Sequence, residues 1–470
     1  MSAGCGDVIG GGVIVESVVR EPLADERGLR LDPDRVYKCG QGVAHHRGVG
    51  EWRRWGWGKG GQMGIAAWRG QGPLANRNYA LFLVGAFISS LGGWMQMVAL
   101  SWVVLQLGNS TFVLGLLGFV QLIPVLALGI PAGIIADRVD RRRFLLWVQG
   151  GATLLTAALA ALQIAGRATV PLLLLIAAAN GVVNALNGPT WQAFIRELVG
   201  PEQLRQAIAI NSARFNLTRI VGPAIGGWLL VTAGAGACFA LNAVSFLAVL
   251  GALFAIRTKK RPVATNQTAI AAASTRAILQ NPQMRAVLFP AIGLAVLALP
   301  YSNFFPAMAR DVFGRGAGGL SLLLTATGVG AVGGAIISGL SIVARRPGIA
   351  LAILEIITGA SLAAFAWSPS FYLAALCIVA FGAAVIGYLA TAGATIQLAS
   401  PPGTEGRALG LWMIVNSGLV PFGSLGLGAL AEAVGVRGAL GAAGLGCLVC
   451  GIVATIVTRQ LPAKNRPLAA

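Results

Sequence analysis

Charge is scarce in this chain. Asp, Glu, Lys and Arg make up 11% of its 470 residues, where a soluble domain carries about 25%. That scarcity excludes an ordinary soluble enzyme or binding domain. Histidine is nearly absent: the two present, His45 and His46, stand side by side in an N-terminal tail, so no Ser-His-Asp arrangement is available. No GxxxxGK[ST] stretch occurs, which excludes a P-loop and ATP as the energy source. The six cysteines make no framework, since four lie inside apolar runs and Cys5 and Cys39 lie in the tail. Cys447-Leu-Val-Cys450 has the CxxC spacing but no second ligand pair, so it reads as helix packing. No signal peptide is read, because Asp7 and Glu16 interrupt the one weakly apolar N-terminal stretch. No metal, cofactor or enzymatic site is expected.

What the chain has in abundance is apolar sequence. Hydrophobic residues make up 56% and the mean hydropathy is +0.75. Apolar segments run over 79–107, 111–136, 143–165, 170–190, 207–232, 236–256, 285–308, 318–343, 348–368, 371–392, 407–431 and 436–458. Each is near the length that spans a bilayer as a helix, about 20 residues. The alternating pattern of a membrane barrel is absent, so the class is an all-α polytopic membrane protein with twelve transmembrane helices.

The net charge of +19 has a plain reading in such a protein. Loops after even-numbered segments, with the C-terminal tail, hold eighteen Lys and Arg residues; the opposite loops hold Arg167, Arg310, Arg315 and Arg437. The excess follows the positive-inside rule and puts both termini in the cytoplasm; no nucleic-acid partner is expected. A long basic loop at 257–284 divides the chain into a six-helix half at 73–256 and another at 285–460, with a tail at 461–470. Residues 1–72, rich in Gly, Arg and Trp, read as a disordered tail, and Met63 offers an alternative start. Two parallel six-helix halves are the plan of the major facilitator fold.

Six of the seven residues from Asp137 to Arg143 are charged, straight after a long apolar run. Gly133-Ile-Ile-Ala-Asp137-Arg138-Val-Asp140-Arg141-Arg142 resembles the loop 2–3 motif of the major facilitator superfamily, GxxxDRxGRR. The resemblance implies a cytoplasmic latch that holds the outward-facing state. On the residues alone, Gly129 and Gly133 offer a close-packing face, Asp137 can accept a hydrogen bond or an Arg from the other half, and the arginines can anchor to headgroups. A simple stop-transfer cluster is the other reading. Asp140 stands where the motif has glycine. In segment 5, Gly222-Pro223-Ala-Ile-Gly226-Gly227 resembles the GPxxGG motif of exporters and antiporters, with Thr218 where a further glycine is expected; the alternative is an ordinary kinked packing helix. The stretches 91–110, 131–144 and 187–227 together are similar to the enterobactin-exporter-like, or transmembrane secretion effector, branch. That resemblance implies efflux of siderophores, macrolides or other amphiphiles, with a proton as the coupling ion.

Segments 1, 4, 7 and 10 line the central cavity in that fold. Asn180, Asn184 and Asn187 share one face of segment 4. Tyr388, Thr391 and Thr395 do the same on segment 10, while Trp94 and Gln96 come from segment 1 and Tyr301, Asn303 and Phe304 from segment 7. Amides with aromatics suit an amphiphilic molecule of little charge; bonding between helices is the competing reading. Charges deep in the apolar segments are usually functional, and Arg214, Arg219 and Glu355 are the three candidates. Segment 1 has no acid, so a proton carrier is not evident, and Glu355 is the candidate. The expected protein is a monomeric, proton-coupled exporter of small amphiphiles in the bacterial cytoplasmic membrane. An importer, or a sensor that kept the fold, remains the alternative.

Overall fold

The computed structural model describes residues 72–256, 281–339, 347–400 and 405–460. The expected tail at 1–72 except its last residue, most of the 257–284 linker, Arg345 and Arg346, and the 461–470 tail lie outside the described residues.

Helix α1 spans Arg77–Gly108, α2 Thr111–Arg138 and α3 Arg141–Ile164. An 86-residue helical stretch, Val170–Ala255, then carries non-helical Gly200 (φ 71°) and Gly234 (φ 80°). These glycines adopt a backbone conformation that side chains disfavour, and they cut the stretch into α4 (170–199), α5 (201–233) and α6 (235–255). In the second half, α7 runs from Pro282 to Val312 through α, π and 3-10 turns, α8 spans Gly316–Ser338, α9 Pro347–Trp367 and α10 Phe371–Ala399. Glu405–Gly418 and Val420–Gln460 follow. Gly435 (φ 80°) separates α11 (405–434) from α12 (436–460), in the place Gly234 holds between α5 and α6. Among the described residues, nine helices are long and apolar enough to cross a membrane; divided at the three glycines they make twelve segments.

Segment ends follow local chemistry. Asn76 caps α1, its side chain accepting from the backbone N–H of Asn78 and Tyr79. Asp140 caps α3 by accepting from Arg143 N–H at 3.0 Å, which explains an acid where the loop motif has glycine: the turn uses a cap and no positive φ, Asp140 having φ −65°. Residues 191–199, read from sequence as loop, instead continue α4 as helix. There Phe194, Ile195 and Leu198 are buried with Tyr79, Phe82 and Leu253 in a satellite core. The Tyr79 hydroxyl donates to Ala207 O at 2.8 Å, holding α5 against α1.

Large apolar side chains remain exposed around the outside, among them Trp147, Leu154, Ile130 and Phe289. A soluble monomer rarely carries such a surface; hydrocarbon is its natural solvent, and the protein is a multi-pass membrane protein.

The two halves meet through small residues. A Cβ on Gly115 of α2 would run into the Ser424 carbonyl and the Gly428 Cα of α11. Gly227 of α5 faces the Ser321 side chain of α8, whose hydroxyl donates to Pro223 O at 2.6 Å. Both contacts lie toward the end of the bundle opposite the 137–143 turn, called here the basic end.

Candidate functional site

A cavity of about 780 Å³ lies mainly within the first half, between α1, α3, α4, α5 and α6, with Ile386 of α10 touching it. It reaches from mid-bundle toward the basic end, where Gly188 and Gln192 on its wall are exposed.

The α4 asparagines share this wall. Asn180, Asn184 and Asn187 all line it. Asn180 donates to its own helix at Ile176 O (3.2 Å), Asn187 accepts from Gln149 at 3.2 Å, and Asn184 is exposed. Trp94 lines the same space, its ring 6.1 Å from that of Phe215. Gly222 makes room for it, since a Cβ there would sit 2.5 Å from Trp94 Cβ. Gly226 likewise meets the Met95 backbone. The GPxxGG stretch therefore packs α5 onto α1 within its own half through Gly222 and Gly226, and onto α8 of the other half through Pro223 and Gly227.

The structure does not bring the remaining expected residues to the wall. Gln96 accepts from Asn242 (2.7 Å) and Thr156 (3.1 Å), binding α1 to α6 and α3. Tyr301 is buried between Phe305 and Phe381, Phe304 is buried, and Asn303 donates to Ser424 at 3.0 Å. Tyr388 donates to Val287 O at 3.3 Å, Thr391 is buried, and Thr395 bonds back to Thr391 O. The polar atoms of Gln96, Asn303, Tyr388 and Thr395 are taken by a neighbouring helix or the residue's own backbone, and the Thr391 hydroxyl is buried without a partner among the described residues, so the expected symmetric lining is replaced by one-sided lining.

Sequence reasoning missed the polar start of α5. Asn211, Ser212 and Asn216 line the cavity together with Arg214 and Arg219. The signal was present: six of the nine residues from Asn211 to Arg219 are polar in an otherwise apolar helix. Arg214 donates to Ala86 O and Ser90 Oγ, both at 2.6 Å, and to Asn211 Oδ1 at 3.2 Å. Arg219 makes one long contact, 3.5 Å, to the Tyr301 hydroxyl. Glu355 sits elsewhere. It is fully buried on α9, both carboxyl oxygens lack a hydrogen-bond partner, and its backbone carbonyl accepts from the Cys447 thiol at 3.9 Å.

At the basic end the loop motif serves its own half. Arg141 pairs with Glu197 at 3.4 Å, and Arg142 donates to Leu253 O (2.6 Å) and Phe254 O (2.9 Å) at the end of α6. Arg138 is exposed. Asp137, with its side chain 73% exposed, has Arg141 at 3.9 Å as its ion-pair partner. The contact from Asp137 to the other half expected from the sequence is not made in this conformation. Gly133 and Gly129 have nothing within 4 Å of an added Cβ, so the expected close-packing face is unused.

The opposite end is held shut by two charges from the second half. Glu432 Oε2 accepts from Ser110 Oγ, Thr111 N and Thr111 Oγ1 at 3.0 Å, and from Phe112 N at 3.2 Å, at the N-terminus of α2. Arg310 donates to Leu105 O (3.2 Å) and Asn109 Oδ1 (2.9 Å), at the C-terminus of α1. Each charge meets the helix end of opposite partial charge.

Two helical halves closed at one end around a polar cavity define a membrane transporter of the major facilitator fold. The chain belongs to the transmembrane secretion effector family, whose model matches residues 68–467. Among characterised relatives it is 26% identical to the enterobactin exporter EntS of Escherichia coli over 333 residues, 70% of this chain and 79% of that protein. It is 32% identical to the staphyloferrin A transporter of Staphylococcus aureus over 171 residues, which span 36% of this chain and 43% of that one. Its fold is similar to that of a bacterial homologue of the lysosomal transporter Spinster in an inward-facing, unoccupied conformation (TM-score 0.66, 16% identity, 84% of this chain and 98% of the other). It is also similar to an inward-facing bacterial homologue of the iron transporter ferroportin (TM-score 0.62, 17% identity, 82% and 98%).

Proposed function

We propose that this protein is a secondary active exporter of small amphiphilic molecules across the bacterial cytoplasmic membrane, proton-coupled and working by alternating access. The observation that carries the reading is the one-sided cavity: polar, lined by Trp94 and the α4 asparagines, exposed toward the basic end and sealed at the other by Gly115, Gly227, Arg310 and Glu432. The basic loops place the basic end in the cytoplasm, so the conformation is inward-facing and takes its load from inside. The exporter relatives and the GPxxGG stretch favour the outward direction. Membrane lipid, a small-molecule substrate and protons are the partners of this reading, and a monomer suffices for it.

Among the described residues Glu355 is the sole buried acid. An unpaired charge there costs far more than the uncharged acid, which suits a group that gives up its proton only when the halves rearrange. Inside-out vesicles loaded by an acid-inside gradient, offered fluorescent amphiphiles of positive, neutral and negative charge, test the proposal. Accumulation should collapse with a protonophore. Glu355→Gln should reach the membrane at normal level and lose the gradient dependence; a variant that keeps it places the proton elsewhere. Uptake by right-side-out vesicles instead would make the protein an importer, and no movement in either orientation would make it a sensor.

The exposed Asp137, paired only within its own turn in this conformation, fits a latch that closes only in the outward-facing state. Asp137→Asn should then lower the initial export rate by roughly ten-fold, within the usual 1–3 kcal/mol of a coupling between states, at normal membrane abundance. An unchanged rate would remove the latch role.

A further inference from the structure

The cavity wall carries two cations and no anion. Arg214 and Arg219 line it, and among the described residues no Asp, Glu, Lys or His does. Neither arginine has a carboxylate within ion-pair distance among the described residues. Two guanidinium groups held in a site walled by apolar helices, without a counter-charge, are costly. A ligand that brings the missing negative charge recovers that cost, and guanidinium geometry matches a carboxylate with two parallel hydrogen bonds. The two differ in freedom. Arg214 spends its donors on Ala86 O, Ser90 and Asn211, which fix it and tie α5 to α1. Among the described residues Arg219 has only the 3.5 Å contact to Tyr301, which leaves most of its donors for a ligand. Five residues apart on one helix, they are separated by about 7.5 Å along its axis. Trp94, Phe215 and Trp191 supply apolar wall beside them, and Asn184 and Asn216 supply neutral hydrogen bonds.

We infer that Arg214 and Arg219 form an anion-binding pair, and that the transported amphiphile carries at least one carboxylate or comparable oxyanion on an aromatic or aliphatic body. This rests on the cavity being the transport path, and it replaces the expectation of a cargo with little charge. Arg219 is the specificity-determining residue; Arg214 is the better anchored partner.

The test uses full-length protein with Asn184→Cys in nanodiscs of phosphatidylcholine. Labelling of position 184 by a water-soluble maleimide is read by peptide mass, so the six native cysteines do not interfere. Two probes of one shape are compared as protectants, naphthalene-2-carboxylate and naphthalene-2-carboxamide. The carboxylate should protect at a concentration at least ten-fold lower. Arg219→Gln should bring the ratio near one, and Arg219→Lys should keep most of it, since a charge remains. Equal protection by the two probes, or a ratio that survives Arg219→Gln, would overturn the inference. Protection by phosphatidylglycerol added to the nanodisc, without probe, would overturn it too, by making the pair a lipid-headgroup site. Selective binding of the carboxylate with no accumulation in vesicles would sink the exporter reading alone. Accumulation of amphiphiles without charge preference would sink the anion pair alone.

Discussion

Gly115→Leu is expected to cut export to about a tenth or less while leaving membrane insertion intact, an overpacking effect of roughly 1–3 kcal/mol placed where the halves touch. A Cβ at Gly115 would lie 2.8 Å from Gly428 Cα and closer still to the Ser424 carbonyl. Both are backbone atoms, so no rotamer change relieves the clash. Each half keeps its own core, because Gly115 meets α11 of the other half rather than its own helices. The leucine therefore disfavours only the state in which α2 and α11 are closed, and the equilibrium moves toward the state open at that end. Two cysteine-labelling readouts follow. A cysteine at Ser424 should become reactive to a reagent added outside, and one at Asn184 should become less reactive from inside. Normal export with unchanged labelling at both positions would show that the α2–α11 contact does not separate during transport.

Removing the two outer charges together should give the next largest effect. Glu432 and Arg310 grip a single connection, residues 105–113, from its two ends, one at the start of α2 and the other at the end of α1. Glu432 satisfies two backbone N–H groups that a helix N-terminus otherwise leaves without an intrahelical partner. Arg310 adds a charged donor to Leu105 O, which also accepts from Asn109 N–H at the C-terminus of α1. Both grips belong to one state only, since they cross from half to half. In the double variant Glu432→Gln, Arg310→Gln the outward-open population should rise by about ten-fold, the scale of a typical coupling between sites. Each single variant should give less. The exposed setting adds a second check: raising salt from 0.05 to 0.5 M, across which the Debye length shortens from beyond about 10 Å to a few ångströms, should shift the wild type toward the variant and leave the variant unmoved. Equal salt response in both would assign the closure to apolar packing alone.

The sequence by itself determined the class, the helices and most of their ends. Runs near 20 apolar residues have no other stable form in hydrocarbon, because every backbone group must be satisfied within the segment. Gly200, Gly234 and Gly435 break the long helices where a positive φ is needed, and Asn76, Ser110 and Asp140 cap helices by side-chain chemistry that is local. The loop motif and the GPxxGG stretch were legible for the same reason, being contiguous. Helical period also put Asn180, Asn184 and Asn187 on one face.

Which face looks into the cavity was decided only by tertiary structure. Gln96 and Asn184 are alike in the sequence, amides in apolar helices, yet Gln96 is consumed by Thr156 and Asn242 while Asn184 stands exposed on the cavity wall. An amide in hydrocarbon needs a partner whichever way it points, so composition and spacing leave the same trace in both cases. Arg214 and Arg219 were visible as charges in an apolar segment; that no carboxylate faces them depends on five helices arriving together. Arg310 read as an ordinary loop charge and Glu432 carried no reading, because the groups they meet in the other half lie more than 200 residues away. Local chemistry fixes where helices start and stop. The energy of a charge or an amide is set by what the rest of the chain brings within about 4 Å of it.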